Sequence, residues 1–404
     1  MEEIISEERR GRLFQWSKGN PQPPVVLEVW PTFRCNLSCL FCDYRKKREK
    51  KDRLADYKLE LSDKRWCEII KEASKIGVKA VRIAGGGEPL VRNQLTLKLI
   101  KLIKNSKMWG LLTTNGSLFT EEVIKTLVKY EWDRIEVSID GPKARIHDYL
   151  RNCKGCFKKT INNIKKITYY KKIYGKEKPE IFFSTIITNL TYDKIEDFMK
   201  LGSEIGANGI GLLQLIVKTP ESKSLALQED QWKELYRNLI KSKKKEKEYG
   251  VSLGIEGLLQ SKFFEKKKKK NTESPNVEDK SLKFLSLPCY EPWYYLQIIA
   301  DGRVSPCCTC FVNQDNRSVK DESIMSMWSH PHVENIRNHI FSGDLLPQCK
   351  ECSQQPWLIF KKYRIMRELA EHFYQLEPEN RKEIIKIGKF LERVSNERPR
   401  FLRV

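Results

Sequence analysis

Six apolar runs of strand length recur through the first half of the chain, at residues 25–30, 78–84, 110–114, 134–139, 181–188 and 209–216. Helix-length amphipathic patterns follow them, for example at 62–76, 120–130, 157–170, 192–205 and 228–249. Ser62 and Thr120 stand where helix N-caps belong. Strands that alternate with helices of this length form βαβ units around a parallel sheet. Six such units predict an α/β fold, a partial (β/α)6 barrel rather than a closed ring of eight.

The pattern predicts five regions. Residues 1–24 form an N-terminal segment and 25–240 the barrel. Residues 241–283 are Lys- and Glu-rich, with a short apolar island at 251–259, and read as a linker or insertion. Residues 284–357 are rich in Cys, Pro and aromatics. Within them, 295–299, Asp301-Gly302 and 303–304 read as a β-hairpin. Residues 358–404 carry two helical stripes, Ile359, Tyr363, Met366, Phe373 and Leu376, then Ile384, Ile387, Leu391 and Val394, best explained by core packing. The first twelve residues are dominated by Glu and Arg, which excludes a signal peptide there. No apolar run reaches the roughly 18 residues that span a bilayer. The expectation is a cytoplasmic protein with no membrane partner.

Formal charge is +22. The lysines are scattered, as on a solvated surface, so most of this charge does not call for a nucleic-acid partner. Twelve cysteines in a long chain argue for metal or redox use rather than a disulfide scaffold. Seven of them fall into two groups. Cys35, Cys39 and Cys42 follow the first strand with C-x3-C-x2-C spacing. Three thiolates this close converge on one centre, and structural zinc wants four ligands. An iron–sulfur cubane held by three thiolates keeps one iron open. Cys289, Cys307, Cys349 and Cys352 form the second group, for which zinc and an iron–sulfur cluster are equally compatible. Cys67 reads as a buried small hydrophobe. Cys153 and Cys156 form a C-x2-C pair in a loop after the fourth strand, and Cys308 and Cys310 are left over.

The first group, with Phe41 preceding its last cysteine, resembles the defining motif of radical S-adenosylmethionine (SAM) enzymes. The resemblance covers about residues 25–216. It implies that Cys35, Cys39 and Cys42 hold a [4Fe-4S] cluster whose open iron chelates SAM, with Phe41 against the adenine. Gly86, Gly87, Glu88 and Pro89 look like the family segment that binds the SAM amino group, and glycines there admit close backbone approach. Asn115 ends strand three, Ser138 and Asp140 end strand four and face the SAM ribose and methionyl part in similar enzymes, and Arg151 resembles an arginine near the SAM carboxylate. All these segments fall at the C-terminal ends of predicted parallel strands, where β/α barrels build active sites. The second group resembles the SPASM/twitch extension, in its shorter form: a small twitch-like β-hairpin/helix domain with one auxiliary [4Fe-4S] cluster, similar to that of aminocyclitol dehydrogenases.

The resemblance implies reductive cleavage of SAM to a 5′-deoxyadenosyl radical, two [4Fe-4S] clusters, and an electron donor such as flavodoxin or ferredoxin. The leading expectation is oxidation of a small, carbohydrate-like alcohol, anionic in view of the charge. A redox-neutral epimerase with Cys310 as hydrogen donor is one alternative. Maturation of a ribosomally made peptide is another; against it stands the short stretch before strand one, too short for a leader-binding domain. A basic nucleic-acid-binding protein with structural metal is the alternative from another class.

Overall fold

The computed structural model describes residues 2–45, 56–255, 258, 283–307, 312–353 and 356–376. All six expected strands are present: β1 (Val26–Val29), β2 (Ala80–Ile83), β3 (Trp109–Thr114), β4 (Arg134–Ser138), β5 (Glu180–Ile187) and β6 (Gly209–Gln214). Helices cross between them: α2 (Asp63–Lys75), α3 (Asn93–Asn105), α4 (Glu121–Lys129), α5 (Ala144–Arg151), α6 (Cys156–Tyr174), α7 (Ile195–Ile205) and, after β6, α8 (Glu229–Lys243). The Ser62 side chain accepts from the Arg65 amide and Thr120 from the Val123 amide, so both expected caps are made.

Three further strands extend the sheet. β7 (Ser252–Gly254) pairs with β6, β8 (Tyr295–Ile298) pairs parallel with β1, and β9 (Val304–Ser305) returns antiparallel to β8; helix α9 (Pro331–Ser342) follows further on. The order is β7-β6-β5-β4-β3-β2-β1-β8-β9. This corrects two expected boundaries. The linker does not begin at 241, because α8 runs to Lys243 and part of the apolar island at 251–259 is β7. The expected hairpin exists, with Gly302 at φ +87° in its turn, but it does not stand apart: it extends the barrel sheet on the far side of β1. A three-residue strand is too short for alternation to show in the sequence, which is why β7 was not legible.

Strands β4 and β5 have one buried and one half-open face. Along β4, Ile135 and Val137 are buried while Arg134, Glu136 and Ser138 are half-open; β5 alternates likewise. The apolar face packs under the helices, with Trp66, Ile69 and Ile70 of α2 and Leu99, Ile100 and Ile103 of α3 fully buried. The polar face lines a lumen.

The N-terminal segment is a helix, α1 (Glu2–Ser17), that sequence reading missed. It packs on α11 (Pro356–Leu376), the first of the two expected C-terminal helices; Phe14 and Phe373 meet edge to face at 4.9 Å. Met366 and Phe373 are core residues as their stripe implied, whereas Leu376 is exposed. The second stripe, 384–394, lies outside the described residues. Among the described residues no helix is long and apolar enough to cross a membrane.

Candidate active site

β1 leads directly into the loop that bears Cys35, Cys39 and Cys42. Cys39 is buried and the other two are half-buried. Glu60 anchors the loop's entry: its Oε1 accepts from the Thr32 hydroxyl at 2.6 Å and the Phe33 amide at 2.8 Å, and its Oε2 pairs with Arg34 at 3.1 Å. Asn36 ties the loop sideways, its amide donating to Ser117 Oγ and its oxygen accepting from Asn115 Nδ2, each at 2.9 Å.

The segment after β2 closes against the same loop. A Cβ on Gly87 would stand 2.2 Å from the Arg34 carbonyl oxygen, and one on Gly86 would meet the Tyr44 ring at 2.7 Å. Only glycine allows this approach. Glu88 is enclosed. Its carboxylate accepts from Thr114 Oγ1 at 2.6 Å, the Asn115 amide at 2.7 Å and the Leu90 amide at 3.1 Å, bracing the ends of β2 and β3 together. Burial pushes its pKa up, against the pull of those three donors. Pro89 follows at the start of a single helical turn, Pro89–Arg92, and is buried.

After β4, Asp140 is fully buried and forms an ion pair with Arg151, the last residue of α5; its Oδ1 also accepts from the Ile186 amide at 2.9 Å. Arg151 reaches on to the cysteine loop. Its Nη1 lies 3.5 Å from Cys39 Sγ, and its guanidinium carbon lies 5.5 Å from the centre of the Phe41 ring. Burial pushes the Cys39 thiol up, and the Arg151 charge pulls it back toward the thiolate. His147, on α5, accepts from the Asp140 amide through Nδ1 at 3.3 Å; burial, reinforced by Arg151, drives its pKa down to about 3, so it is neutral. Ser138 faces the lumen, half-buried.

One neighbourhood therefore gathers Cys35, Cys39, Cys42, Phe41, Gly86, Gly87, Glu88, Pro89, Asn115, Ser138, Asp140 and Arg151, at the C-terminal ends of four adjacent strands, β4-β3-β2-β1. Sequence reading missed Glu60, His147 and the side-chain role of Asn36. Asn36 lies inside the cysteine motif and carried a signal; Glu60 and His147 lie in stretches with no pattern that marks them.

The second cysteine group sits at the opposite end. Cys289 precedes β8 and Cys307 follows β9, so the antiparallel hairpin returns both to the N-terminal end of the barrel sheet. Cys349 and Cys352 lie three residues apart on the short helix α10 (Pro347–Ser353). Cys289, Cys307 and Cys349 pack against one apolar cluster that includes Phe284, Tyr290, Trp293, Met366 and Phe373. Lys362 of α11 stands beside Cys289, its ammonium pushed down to about 8 by burial. Four strand residues separate the two cysteine groups, roughly 13 Å at about 3.3 Å per residue. That is too far for one centre, and the thiols divide into two sets of three and four. Cys308 and Cys310 lie outside the described residues.

Between the two ends, a cavity of about 520 Å³ opens under the first residues of β1, β2, β3 and β8, with α1 and α11 as its floor. Arg82 is enclosed by protein, yet 39% of its side-chain surface is open because that surface faces the cavity. Arg9, Arg82 and Arg364 share the lining with Glu136, Glu291 and Glu368. The overall excess of positive charge is not expressed there.

Comparison with known proteins decides the family. Residues 30–202 match the model of the radical SAM superfamily, and residues 289–353 match that of the SPASM iron–sulfur cluster-binding domain. The chain is a radical SAM enzyme with a SPASM-type extension. This family uses SAM, and the two matched regions imply two [4Fe-4S] clusters. The mycofactocin maturase MftC of Mycolicibacterium smegmatis is 27% identical over 48% of this chain and 46% of its own length. The PqqA peptide cyclase of Gluconobacter oxydans is 21% identical over 83% of this chain and 84% of its own length. The chain spans about half the length of the other curated relatives first matched, MftC among them. Streptococcus suis SuiB, in a structure bound to its precursor peptide SuiA, superposes with a TM-score of 0.59 at 18% identity, over 81% of this chain and 70% of that one. The partial-barrel fold expected from sequence is thus shared with solved radical SAM structures.

Proposed function

We propose that this radical SAM enzyme modifies a peptide. The supporting observation is the similarity to PqqA peptide cyclase, which runs through barrel and extension alike. It favours the peptide alternative over the leading sequence expectation of small-alcohol oxidation.

In this reading Cys35, Cys39 and Cys42 hold the SAM-binding cluster, and Cys289, Cys307, Cys349 and Cys352 the auxiliary one. Bound at Cys35, Cys39 and Cys42, such a cluster would supply the electron for reductive cleavage of SAM. The protein's part is positional. Glu60 and Asn36 fix the cysteine loop, Arg151 offsets the thiolate charge at Cys39, and the Gly86-Gly87 backbone admits the methionyl end of SAM. Phe41 and Leu150, packed with Leu215 and Leu225, keep water from that edge of the site. Ser138, Asp140 and Asn115 are the polar groups nearest a ligand lying across the strand ends. An electron donor of flavodoxin or ferredoxin type and a cytoplasmic setting belong to the same reading.

Anaerobically loaded enzyme, SAM and a reductant are incubated with short peptides encoded beside the gene, and in parallel with a panel of sugar phosphates and aminocyclitols. A peptide product lighter by hydrogen atoms, formed together with 5′-deoxyadenosine, is the expected result. An oxidised sugar alcohol, with every peptide unchanged, overturns the reading.

A further inference from the structure

Cys153 and Cys156 have no part in the site described above, yet they stand beside it. α5 ends at Asn152 in the left-handed conformation, φ 49°, and the Cys153 amide closes the turn on the Asp148 carbonyl at 2.9 Å. The chain then turns again at Gly155, φ +81°, where the Cys156 amide donates to the Cys153 carbonyl at 3.3 Å. Such a four-residue turn holds its end Cα atoms within about 7 Å, inside the usual span of a disulfide. Burial, with Asp148 and Cys153 beside it, pushes the Cys156 thiol up. The two thiols differ in access: Cys153 is half-exposed, while Cys156 is 3% exposed at the first position of α6 and donates to Asp148 Oδ1 at 3.4 Å. Asp148 is anchored in turn by the Gly155 amide at 2.6 Å and the Phe157 amide at 2.8 Å. An accessible thiol beside a shielded one is the arrangement of an attacking and a resolving cysteine.

The three residues before the pair run alongside the cysteine loop in the opposite sense. The Leu40 amide donates to the Leu150 carbonyl at 3.0 Å, Arg151 reaches Cys39 Sγ, and Asn152 Nδ2 donates to Ser38 Oγ at 3.2 Å. The next residue is Cys153. Because Cys156 is fixed by α6 and Asp148, the approach needed to reach the ~2.05 Å of an S–S bond falls on Cys153, and so on the turn that holds residues 38–40.

We propose that Cys153 and Cys156 form a redox-active dithiol that a low-molecular-weight disulfide oxidises, and that the closed form loosens SAM at the neighbouring site. The Cys153 thiolate attacks one sulfur of the disulfide and releases the first thiolate. Cys156 then attacks the Cys153 sulfur, and the second thiol leaves with the Cys156 proton. Two protein thiols and one disulfide become one protein disulfide and two small thiols, so atoms and electrons balance. Exposed Lys154, Lys158 and Lys159 surround the entry and draw an anionic disulfide such as oxidised glutathione. The dithiol stands on its own geometry; its effect on SAM rests on the reading of Cys39 as a cluster ligand.

Cluster-loaded enzyme is equilibrated anaerobically at rising ratios of oxidised to reduced glutathione, alkylated and mapped by mass spectrometry, with SAM affinity measured alongside by equilibrium dialysis. The expected result is a 153–156 peptide that escapes alkylation and runs about two mass units light. SAM affinity falls about five-fold or more with it, and Cys153→Ser shows no such response. Full alkylation of both thiols at every ratio overturns the dithiol. A disulfide that forms while SAM affinity stays constant overturns the coupling and leaves the cluster reading to be judged by its own test.

Discussion

The two cysteine groups are built in opposite ways. At the C-terminal rim, three thiols come from one eight-residue loop and are held by polar groups: Glu60, Asn36 and Arg151 with its partner Asp140. At the base, the cysteines come from three separate segments, and Cys289, Cys307 and Cys349 pack on the apolar cluster of Phe284, Trp293, Met366 and Phe373. A site made by one loop survives small shifts elsewhere, because its spacing is covalent. A site made by packing depends on every element that contributes to the cluster.

The sharpest break of that comparison replaces the rim thiols. The triple variant Cys35→Ala, Cys39→Ala, Cys42→Ala is expected to lose about four of roughly eight irons and all 5′-deoxyadenosine formation. The base cluster should keep a cubane EPR signal that SAM does not alter. Loss of all iron would show that the two ends are not independent.

Arg151 comes next. Arg151→Met leaves Asp140 buried without its partner, which typically costs about 3–5 kcal/mol, and removes the charge beside Cys39. Adding Asp140→Asn should recover much of the stability in denaturant titrations while SAM cleavage stays low. Equal destabilisation in the single and double variants would mean that the pair is not coupled.

Phe373→Ala tests the base. Truncating a fully buried Phe costs about 3–5 kcal/mol. Iron analysis should show the base cluster lost first, with SAM-dependent EPR changes at the rim retained.

The smallest effect concerns His147. Its pKa in the folded chain, about 3, lies far below the ordinary 6.5. The unfolded chain therefore takes up a proton that the folded chain refuses, and stability is full above pH 6.5 and falls as pH drops below it. The slope approaches about 1.4 kcal/mol per pH unit. His147→Gln should flatten that part of the profile between pH 6.5 and 5.5, and an unchanged slope would mean that the imidazole is not held neutral.

The same contrast explains what was legible in the sequence. Six strands, the capped helices and the rim motifs were readable because each is written locally, as alternation or as spacing. The braces were not. Glu60 acts on residues 32–34 from some 27 positions away, and nothing in its own neighbourhood marks it. The attachment of β8 to β1 links residues 26–29 with 295–298, a pairing that no window on the sequence contains. The peptide reading came from relatives and not from any residue pattern, since barrel-lumen side chains name no ligand by themselves.

That last pairing has a consequence for how the molecule is made. β1 can join β2 once about eighty residues exist, but its other edge has no partner until residue 298 has been synthesised. At roughly 5–20 residues per second on the ribosome, the interval is on the order of tens of seconds. During it, the strand that carries the cysteine loop is an open edge, a template for wrong pairing. The nascent barrel is thus completed by its own extension, and metal loading at the rim has its firm scaffold only after the base has been translated.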